Sequence, residues 1–382
     1  MLGAGFGDEG KGKTVSYLVS KSDKPVVIRF SGGHQAGHTV NYQGHNHVFS
    51  HFGSGTLQGI PTYWSEYCTV YPTGLVNEWK ALLPYNPILF IHRHSPVTTP
   101  YDIVANRYFE EENEHGSCGL GFGTTIERHE LLKLFYKDLF IKKIFEEKLK
   151  NIKEYYCKKN GRFKELFTTH TFINKLDHYK KAVDVITSHN IGNYVGEGID
   201  TFSFLKTDHL IFEGSQGLLL DKDLGFFPNV TRSKTDHTNA LNIIDSFNCF
   251  EYSNIDIYYV SRCYQTRHGN GFMSDERIVE LINNENETNK VNLQQGSFRK
   301  GYLDLDLLYY GLDDVKENLF NINRHLVLTC IDQFKGEEVP VIRKREIEVI
   351  KKRDINTFLN LPSVLYSYGP ETDKMTDNLY GI

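Results

Sequence analysis

Short apolar runs alternate along the chain with longer stretches in which apolar and polar residues recur at helical spacing. The apolar runs predict buried strands over residues 26–30, 88–91, 209–212, 255–260 and 325–330. The helical spacing predicts helices over 12–20, 73–83, 100–112 and 303–312, and a long helical segment over 128–157. Buried strands that alternate with amphipathic helices are typical of an α/β fold built on a parallel sheet.

The domain organisation follows from the same alternation, because no internal repeat and no low-complexity linker interrupts it. The 382 residues are 40% hydrophobic, which is enough apolar material for a large core. We therefore expect a single large α/β domain over residues 1–382, with a central, mostly parallel sheet flanked by helices. A mostly helical insertion is expected around residues 100–196.

Charge and cysteine usage narrow the class of protein. The 43 lysines and arginines are outnumbered by 48 acidic residues, so a net charge of −5 argues against nucleic acid as a partner. The six cysteines form no C-x-x-C pair, which argues against a zinc ribbon or a secreted disulfide scaffold. No apolar run approaches the length of a membrane span, and no signal peptide pattern precedes the first glycines. We expect a cytoplasmic protein without a membrane partner.

The opening stretch "GFGDEGKGKT", residues 5–14, fits two phosphate-binding patterns, G-x-G-x-x-G and G-x-x-x-x-G-K-T. A dinucleotide site requires an acidic residue about 20 positions later, but the next strand ends at Arg29. A nucleoside triphosphatase requires an aspartate after a later strand, and Glu213 is a poor substitute. A glycine-rich turn without a ligand is the third alternative.

The turn without a ligand leaves the charges of the loop unexplained. Asp8 and Glu9 lie beside Lys11 and Lys13. A carboxylate within a phosphate cradle repels the ligand unless a cation lies between them or the carboxylate takes part in the chemistry. The loop therefore indicates a P-loop-like domain whose cradle either holds a cation or includes a reactive acid.

Three further clusters accompany this loop: "RFSGGHQAGHTV" at 29–40, "FEGSQGLLLDKDLGFFPNVTRS" at 212–233 and "LTCIDQFKG" at 328–336. Together they resemble adenylosuccinate synthetase, the ligase family that joins aspartate to a 6-oxopurine nucleotide. The family motif G-D-E-G-K-G-K is intact at 7–13, and Q-G-G-H-N-A-G-H-T corresponds to 31–39 with two replacements. T-R-V-G-x-G corresponds to 266–271, with His268 for valine, and S-x-G-P-x-x-x-x-M to 367–375.

The resemblance implies a mechanism in two steps. The γ-phosphoryl of a nucleoside triphosphate is transferred to purine O6, and the amine of aspartate then displaces phosphate. Asp8 would remove the proton from purine N1, while His38 and Gln216 complete the catalytic set. Mg²⁺ would lie between Asp8, the carbonyl of Gly37 and the phosphates.

The resemblance also assigns residues to each substrate. For the phosphates of the triphosphate these are Gly7, Glu9, Gly10, Lys11, Gly12, Lys13, Gly37, His38 and Thr39, and for its base Asp332, Ser367, Gly369 and Pro370. For the purine monophosphate they are Gln35, Ser117, Cys118, Gln216, Thr231 and His268, and for aspartate Gln294, Gln295 and Arg299. The family forms homodimers that share an arginine, and counting places Leu132 there, with Arg128 as a conjectural replacement.

Departures from the family pattern bear on specificity. Cys118 replaces a phosphate-binding threonine, and the first arginine of the aspartate loop is missing. Cys330 replaces the lysine that covers guanine, so the phosphoryl donor need not be GTP. These losses favour the divergent viral branch, which acts on dGMP with ATP or dATP, over the ordinary reaction of IMP with GTP. Some viral members replace the equivalent of Asp8, which this chain keeps.

Two other expectations stay open. A GTP-binding protein that uses the first loop without ligation is the alternative from another class, although it would have no use for the segment 212–231. Only four residues precede the loop, whereas the first strand of the family is longer, so part of that strand is expected to be missing.

Overall fold

The computed structural model describes residues 1–113, 116–195, 207–247, 254–285, 287–289, 296–312, 322–377 and 379. The strands are β1 Leu2–Gly3, β2 Pro25–Arg29, β3 His38–Tyr42, β4 His45–Phe49, β5 Thr62–Trp64, β6 Leu89–His92, β7 Asn193–Val195, β8 His209–Glu213, β9 Ile255–Arg262, β10 Tyr264–His268, β11 Phe298–Asp304, β12 Ile322–Thr329, β13 Glu338–Arg343, β14 Glu346–Lys351, β15 Ser363–Ser367 and β16 Met375–Thr376. The helices are α1 Lys11–Lys21, α2 Pro72–Leu82, α3 Pro100–Asn113, α4 Phe122–Leu131, α5 Lys142–Lys159, α6 Phe163–Leu166, α7 His170–His189, α8 Thr238–Ser246, α9 Leu305–Gly311 and α10 Ile355–Phe358.

The central sheet is mostly parallel, as the alternation of strands and helices predicted. One half has the order β7-β6-β5-β2-β8 and is parallel throughout. The other half has the order β1-β9-β12-β15-β16 and is parallel except for β16. Met1 joins the halves, because it donates to the Phe212 carbonyl at 3.0 Å and accepts from the Gly214 amide at 3.1 Å. The carboxyl ends of β1, β2, β8, β9 and β12 therefore lie near one another, where α/β sheets bind ligands.

Most predicted elements exist close to their predicted bounds, and two bounds were wrong. The segment 128–157 is not one helix, since α4 ends at Leu131 and α5 begins at Lys142, after a 3₁₀ turn over Tyr136–Phe140. Leu134 is fully buried there and its carbonyl accepts from the Val97 amide at 3.0 Å, so packing draws the chain into the core. The segment 303–312 begins as the end of β11, and the Asp304 side chain caps α9.

The helices α3 to α7 pack around an aromatic core that includes Tyr101, Phe163, Phe167 and Tyr179. Within this layer Arg128 is fully buried, with Nη2 at 2.9 Å and Nε at 3.1 Å from the two carboxylate oxygens of Asp102. A side chain enclosed in this way cannot reach a partner subunit, so the conjecture that Arg128 is the shared arginine was wrong. No helix within the described ranges is long and apolar enough to cross a membrane.

Candidate active site

A cleft of about 1180 Å³ opens at the carboxyl ends of the central strands. It brings together residues that the sequence assigned to the triphosphate, the purine monophosphate and catalysis. These are Gly7, Asp8, Glu9, Gly10, Lys11, Gly12, Gln35, Gly37, His38, Thr39, Ser117, Cys118, Gln216, Thr231 and His268.

The glycine loop forms the floor of the cleft and leads into α1. Gly7 and Gly10 have φ angles of 90° and 93°, a backbone conformation that is strained in residues with a Cβ atom. Because Gly10 precedes α1 without a capping side chain, the first amides of the helix are open to an anion. A Cβ atom on Gly12 would lie 2.9 Å from Cβ of His38, so only glycine lets the histidine approach the loop this closely.

Asp8 is held in place through its backbone. Its φ angle is 57°, and its carbonyl accepts a hydrogen bond from Nε of Arg262 at 2.6 Å. Arg262 is buried and pairs with Glu287 at 2.6 Å, so the loop is anchored to β9. The carboxylate of Asp8 is one third exposed, and its Oδ2 lies 3.7 Å from Nε2 of His268. This arrangement presents a solvated carboxylate to a ligand in the cleft.

Glu9 lies on the same loop but is enclosed. Its Oε1 accepts from the amide of Gly5, and its Oε2 lies 3.8 Å from Nζ of Lys11. Burial raises the pKa of Glu9 to about 7, although Lys11 and the Gly5 amide act in the opposite direction. Glu9 and Lys11 therefore form a mostly buried pair in the wall of the phosphate cradle.

His38 is oriented by Glu213, which the sequence analysis considered only as a metal ligand of a nucleoside triphosphatase. Nδ1 of His38 lies 2.5 Å from Oε1 of Glu213, which also accepts from the Ser54 hydroxyl, while Oε2 accepts from the Ser54 amide at 3.0 Å. Burial alone raises the pKa of Glu213, but His38, Arg29 and Ser54 lower it to about 2. Burial and the Arg29 charge lower the pKa of His38, and Glu213 opposes them. The position of Glu213 at the end of β8, beside β2, was the signal for this role.

The residues assigned to the triphosphate base cluster beside α1, outside the cleft lining. Nζ of Lys13 donates to the carbonyls of Gly369 at 2.8 Å, Tyr368 at 3.2 Å and Lys374 at 3.2 Å. The Gly369 amide donates to Oδ1 of Asp332 at 3.0 Å. Burial lowers the pKa of Lys13 to about 8. Lys13 thus ties the helix to the loop that carries Gly369 and Pro370, and Ser367 ends the preceding strand β15.

The aspartate set is only partly visible, because Gln294 and Gln295 lie outside the described residues. Arg299 pairs with Glu276 at 2.6 Å and donates to the Gly271 carbonyl at 2.9 Å.

Arg267 lies opposite Arg299 in the β10–β11 ladder. It lines the cleft, and its guanidinium lies over the ring of Phe6, 4.4 Å from the ring centroid. Burial and then Arg299 lower the pKa of Arg267 to about 10. The sequence reading missed Arg267, although it belongs to the T-R-V-G-x-G motif.

Several polar atoms of the cleft have no hydrogen-bond partner within the described part of the chain. These buried atoms are Nε2 and Oε1 of Gln35, Oε1 of Gln216 and Nδ1 of His268. Buried polar groups are almost always paired, so unpaired ones in a cleft mark places where a ligand supplies the partner. At the cleft wall, Ser117 is held by Asn106 at 3.1 Å, beside Cys118.

Most of the chain is similar in sequence to a known family. The family model described as adenylosuccinate synthetase matches residues 1–370. The adenylosuccinate synthetase of Haemophilus influenzae strain PittGG is 31% identical over 296 residues, which cover 74% of this chain and 65% of that relative. The match therefore spans less than two thirds of the relative's length.

Two solved structures share the fold. Fully ligated adenylosuccinate synthetase from Plasmodium falciparum has a TM-score of 0.74 at 18% identity, with 98% of each chain covered. Succinoaminodeoxyadenylate synthetase of cyanophage S-2L, bound to dGMP and to dATP as an energy donor, has a TM-score of 0.63 at 15% identity, with 98% of this chain and 93% of that one covered. Because the family match runs from the first residue to residue 370, the chain belongs to the adenylosuccinate synthetase family of carbon–nitrogen ligases.

Proposed function

We propose that the protein condenses L-aspartate with the 6-oxo position of a purine nucleoside monophosphate, through a 6-phosphoryl intermediate and with hydrolysis of a nucleoside triphosphate. One observation carries the proposal: Asp8, a solvated carboxylate, and His38, a buried imidazole held by Glu213, line the same cleft as an open phosphate cradle. A simple triphosphatase or dehydrogenase would need neither group in that position.

Asp8 accepts the proton from purine N1, so that the negative charge moves to O6. O6 then attacks the γ-phosphorus, the bond to the β-phosphate oxygen breaks, and the nucleoside diphosphate leaves. His38 has Nδ1 engaged by Glu213, which leaves Nε2 for the substrate. His38 of the free protein is neutral at pH 7, because burial and Arg29 lower its pKa. The Glu213 carboxylate stabilises the imidazolium form once the substrate phosphates bring negative charge to Nε2, and in this form Nε2 donates a hydrogen bond to O6 or to the transferred phosphoryl group. Lys11 and the amides at the start of α1 hold the phosphates. The aspartate amine then attacks C6 and phosphate leaves.

Mg²⁺ is the cofactor we propose, and the donor atoms at the cleft fit it. Mg²⁺ prefers oxygen ligands and is usually held by one or two carboxylates together with substrate phosphates. Asp8 supplies a carboxylate and Gly37 a carbonyl at the same cleft that contains the phosphate cradle. When bound, the ion would neutralise charge on the phosphates.

For the nucleotides, we propose dGMP as acceptor and ATP or dATP as donor. Two observations support this choice: Cys330, at the position of the guanine-covering lysine, offers no cation to a guanine base, and the fold matches a phage enzyme bound to dGMP and dATP. IMP with GTP is the second candidate, supported by the 31% identity to the Haemophilus enzyme and the higher TM-score of the Plasmodium one.

We further propose that the protein is a cytoplasmic homodimer, located in the host cytoplasm if the gene is viral. Light scattering would measure the number of subunits.

A substrate panel tests the proposal. Purified protein with Mg²⁺ receives IMP, GMP or dGMP with each of GTP, ATP and dATP, and aspartate-dependent phosphate release is measured together with the succinylated product. We expect the highest kcat/KM with dGMP and ATP or dATP, and a loss of about 10²- to 10⁴-fold in kcat for Asp8→Asn, the range typical of a general base. Succinylation of IMP alone would refute the dGMP assignment. Triphosphate binding without any aspartate-dependent turnover would instead favour a non-catalytic GTP-binding protein.

A further inference from the structure

His268 is a feature of the cleft that neither the fold nor the proposed mechanism explains. It ends β10 and lines the cleft, with its ring 4.8 Å from that of Phe298. Its side chain is 14% exposed. Nδ1 is buried and has no hydrogen-bond partner among the residues that the structure describes. Leaving such an atom unpaired costs about 1–3 kcal/mol, so the position favours a ligand that supplies a donor.

The carboxylate of Asp8 determines which ring nitrogen of His268 can accept a hydrogen bond. Nε2 lies 3.7 Å from Oδ2 of Asp8, and an ionised carboxylate can only accept hydrogen bonds. The tautomer that carries its proton on Nε2 is therefore favoured, because it directs an N–H at the carboxylate. In that tautomer Nδ1 carries the lone pair. His268 thus offers an acceptor, and the atom it pairs with must be an N–H or O–H of the ligand.

The two histidines of the cleft meet the glycine loop at different places. His38 packs on the loop at Gly12, whereas His268 approaches it at Asp8, and the neighbouring Thr266 donates to the Gly7 carbonyl at 3.3 Å. In a purine, N1 lies between C6 and C2. With N1 at Asp8 and O6 at His38, the 2-position is directed toward His268.

We propose that His268 is a specificity-determining residue that accepts a hydrogen bond from the exocyclic 2-amino group of a guanine-type acceptor nucleotide. The inference rests on the ligase activity proposed above and names the substrate class of the same cleft. A hypoxanthine nucleotide has only a C–H at this position and leaves Nδ1 unpaired. The protein therefore discriminates by the 2-substituent of the base, independently of the sugar.

The test compares dGMP with dIMP, which differ only in the 2-amino group. For the wild-type protein we expect kcat/KM for dGMP to exceed that for dIMP by about 10- to 100-fold, the equivalent of one unsatisfied buried acceptor. His268→Val, which restores the residue of the family motif, should bring this ratio close to one. His268→Gln retains an acceptor oxygen and should keep a preference for dGMP. His178→Val, on the exposed face of α7, is the matched control and should leave the ratio unchanged.

The outcomes separate the two proposals. If the wild-type protein succinylates none of IMP, GMP, dGMP and dIMP, the ligase activity itself is refuted, whereas succinylation of IMP alone leaves the ligase and overturns the role of His268. If it is active but has a ratio near one, or if the ratio persists in His268→Val, the ligase stands and the role of His268 is overturned. Thermal melting establishes that each variant is folded, and His268→Leu, which also lacks an acceptor, replaces His268→Val if that variant is unfolded.

Discussion

The pair of Glu213 and His38 makes the sharpest prediction, because stability and activity should respond to the same substitution. Glu213→Gln keeps the size of the side chain but removes its charge and replaces one acceptor oxygen by a donor. Oε1 receives Nδ1 of His38 and the Ser54 hydroxyl, and Oε2 receives the Ser54 amide, so at least one donor is left facing another donor. The variant should therefore be less stable and should release His38 from its fixed orientation.

The magnitude follows from the pKa of the carboxyl group. A shift from 4.5 to about 2 corresponds to about 3 kcal/mol in favour of the folded, ionised state. At neutral pH His38 carries no charge, because burial and Arg29 lower its pKa. The part of the 3 kcal/mol that a protonated His38 would contribute is therefore absent. What remains are the hydrogen bonds to a charged acceptor and the Arg29 charge, which we expect to contribute about 2 kcal/mol at pH 7.

The sign of the pH dependence is fixed by the direction of the shift. Since the pKa of Glu213 is lower in the folded state, its stabilisation is present above about pH 4.5 and is lost as the pH falls toward 2. Urea unfolding of the wild-type protein and Glu213→Gln at pH 7 and at pH 4 measures this. We expect the difference between them to shrink at the lower pH, and kcat of the variant to fall at least about 10²-fold.

Glu78→Gln is the matched control. Glu78 is also buried, and although burial raises its pKa, His47, His51 and the backbone amide of Ser50 lower it to about 2. It does not line the cleft. It should lose comparable stability while the folded fraction keeps its kcat. Equal stability of Glu213→Gln and the wild-type protein at pH 7, or equal loss of kcat in both variants, would contradict the role given to Glu213.

Substitutions of Glu9 and Lys13 test how the glycine loop and α1 are held. Because the pKa of Glu9 is raised to about 7, the free energy of unfolding of the wild-type protein should fall by about 3 kcal/mol as the pH rises from about 4.5 to 7. Glu9→Gln should remove this pH dependence in urea titrations. A pH dependence that persists in the variant would show that another group titrates. Lys13→Met removes a donor from three carbonyls of the 368–374 loop, of which that of Lys374 keeps a second donor, the Tyr368 amide. It should cost about 1–3 kcal/mol and raise KM for the triphosphate, whereas Lys21→Met, at the exposed end of α1, should do neither.

The sequence by itself determined the α/β class, the parallel sheet and the glycine loop at the start of the chain. Buried parallel strands are continuous apolar runs, and glycine spacing records backbone conformations that only glycine adopts, so both are visible in one dimension. Asp8, Lys11 and His38 could be named because their motifs are contiguous, and they lie together in the cleft.

Only the tertiary structure showed which residues hold Asp8 and His38 in place. Glu213 is 175 positions from His38, and Arg262 is 254 positions from Asp8, so no local pattern connects either pair. The ion pair of Arg128 with Asp102, 26 residues away, is likewise connected by no local pattern. Chain folding brings distant charges to contact distance, and burial then makes their pairing strong. The sequence therefore specified the candidate groups of the cleft, whereas packing specified how each is held and charged.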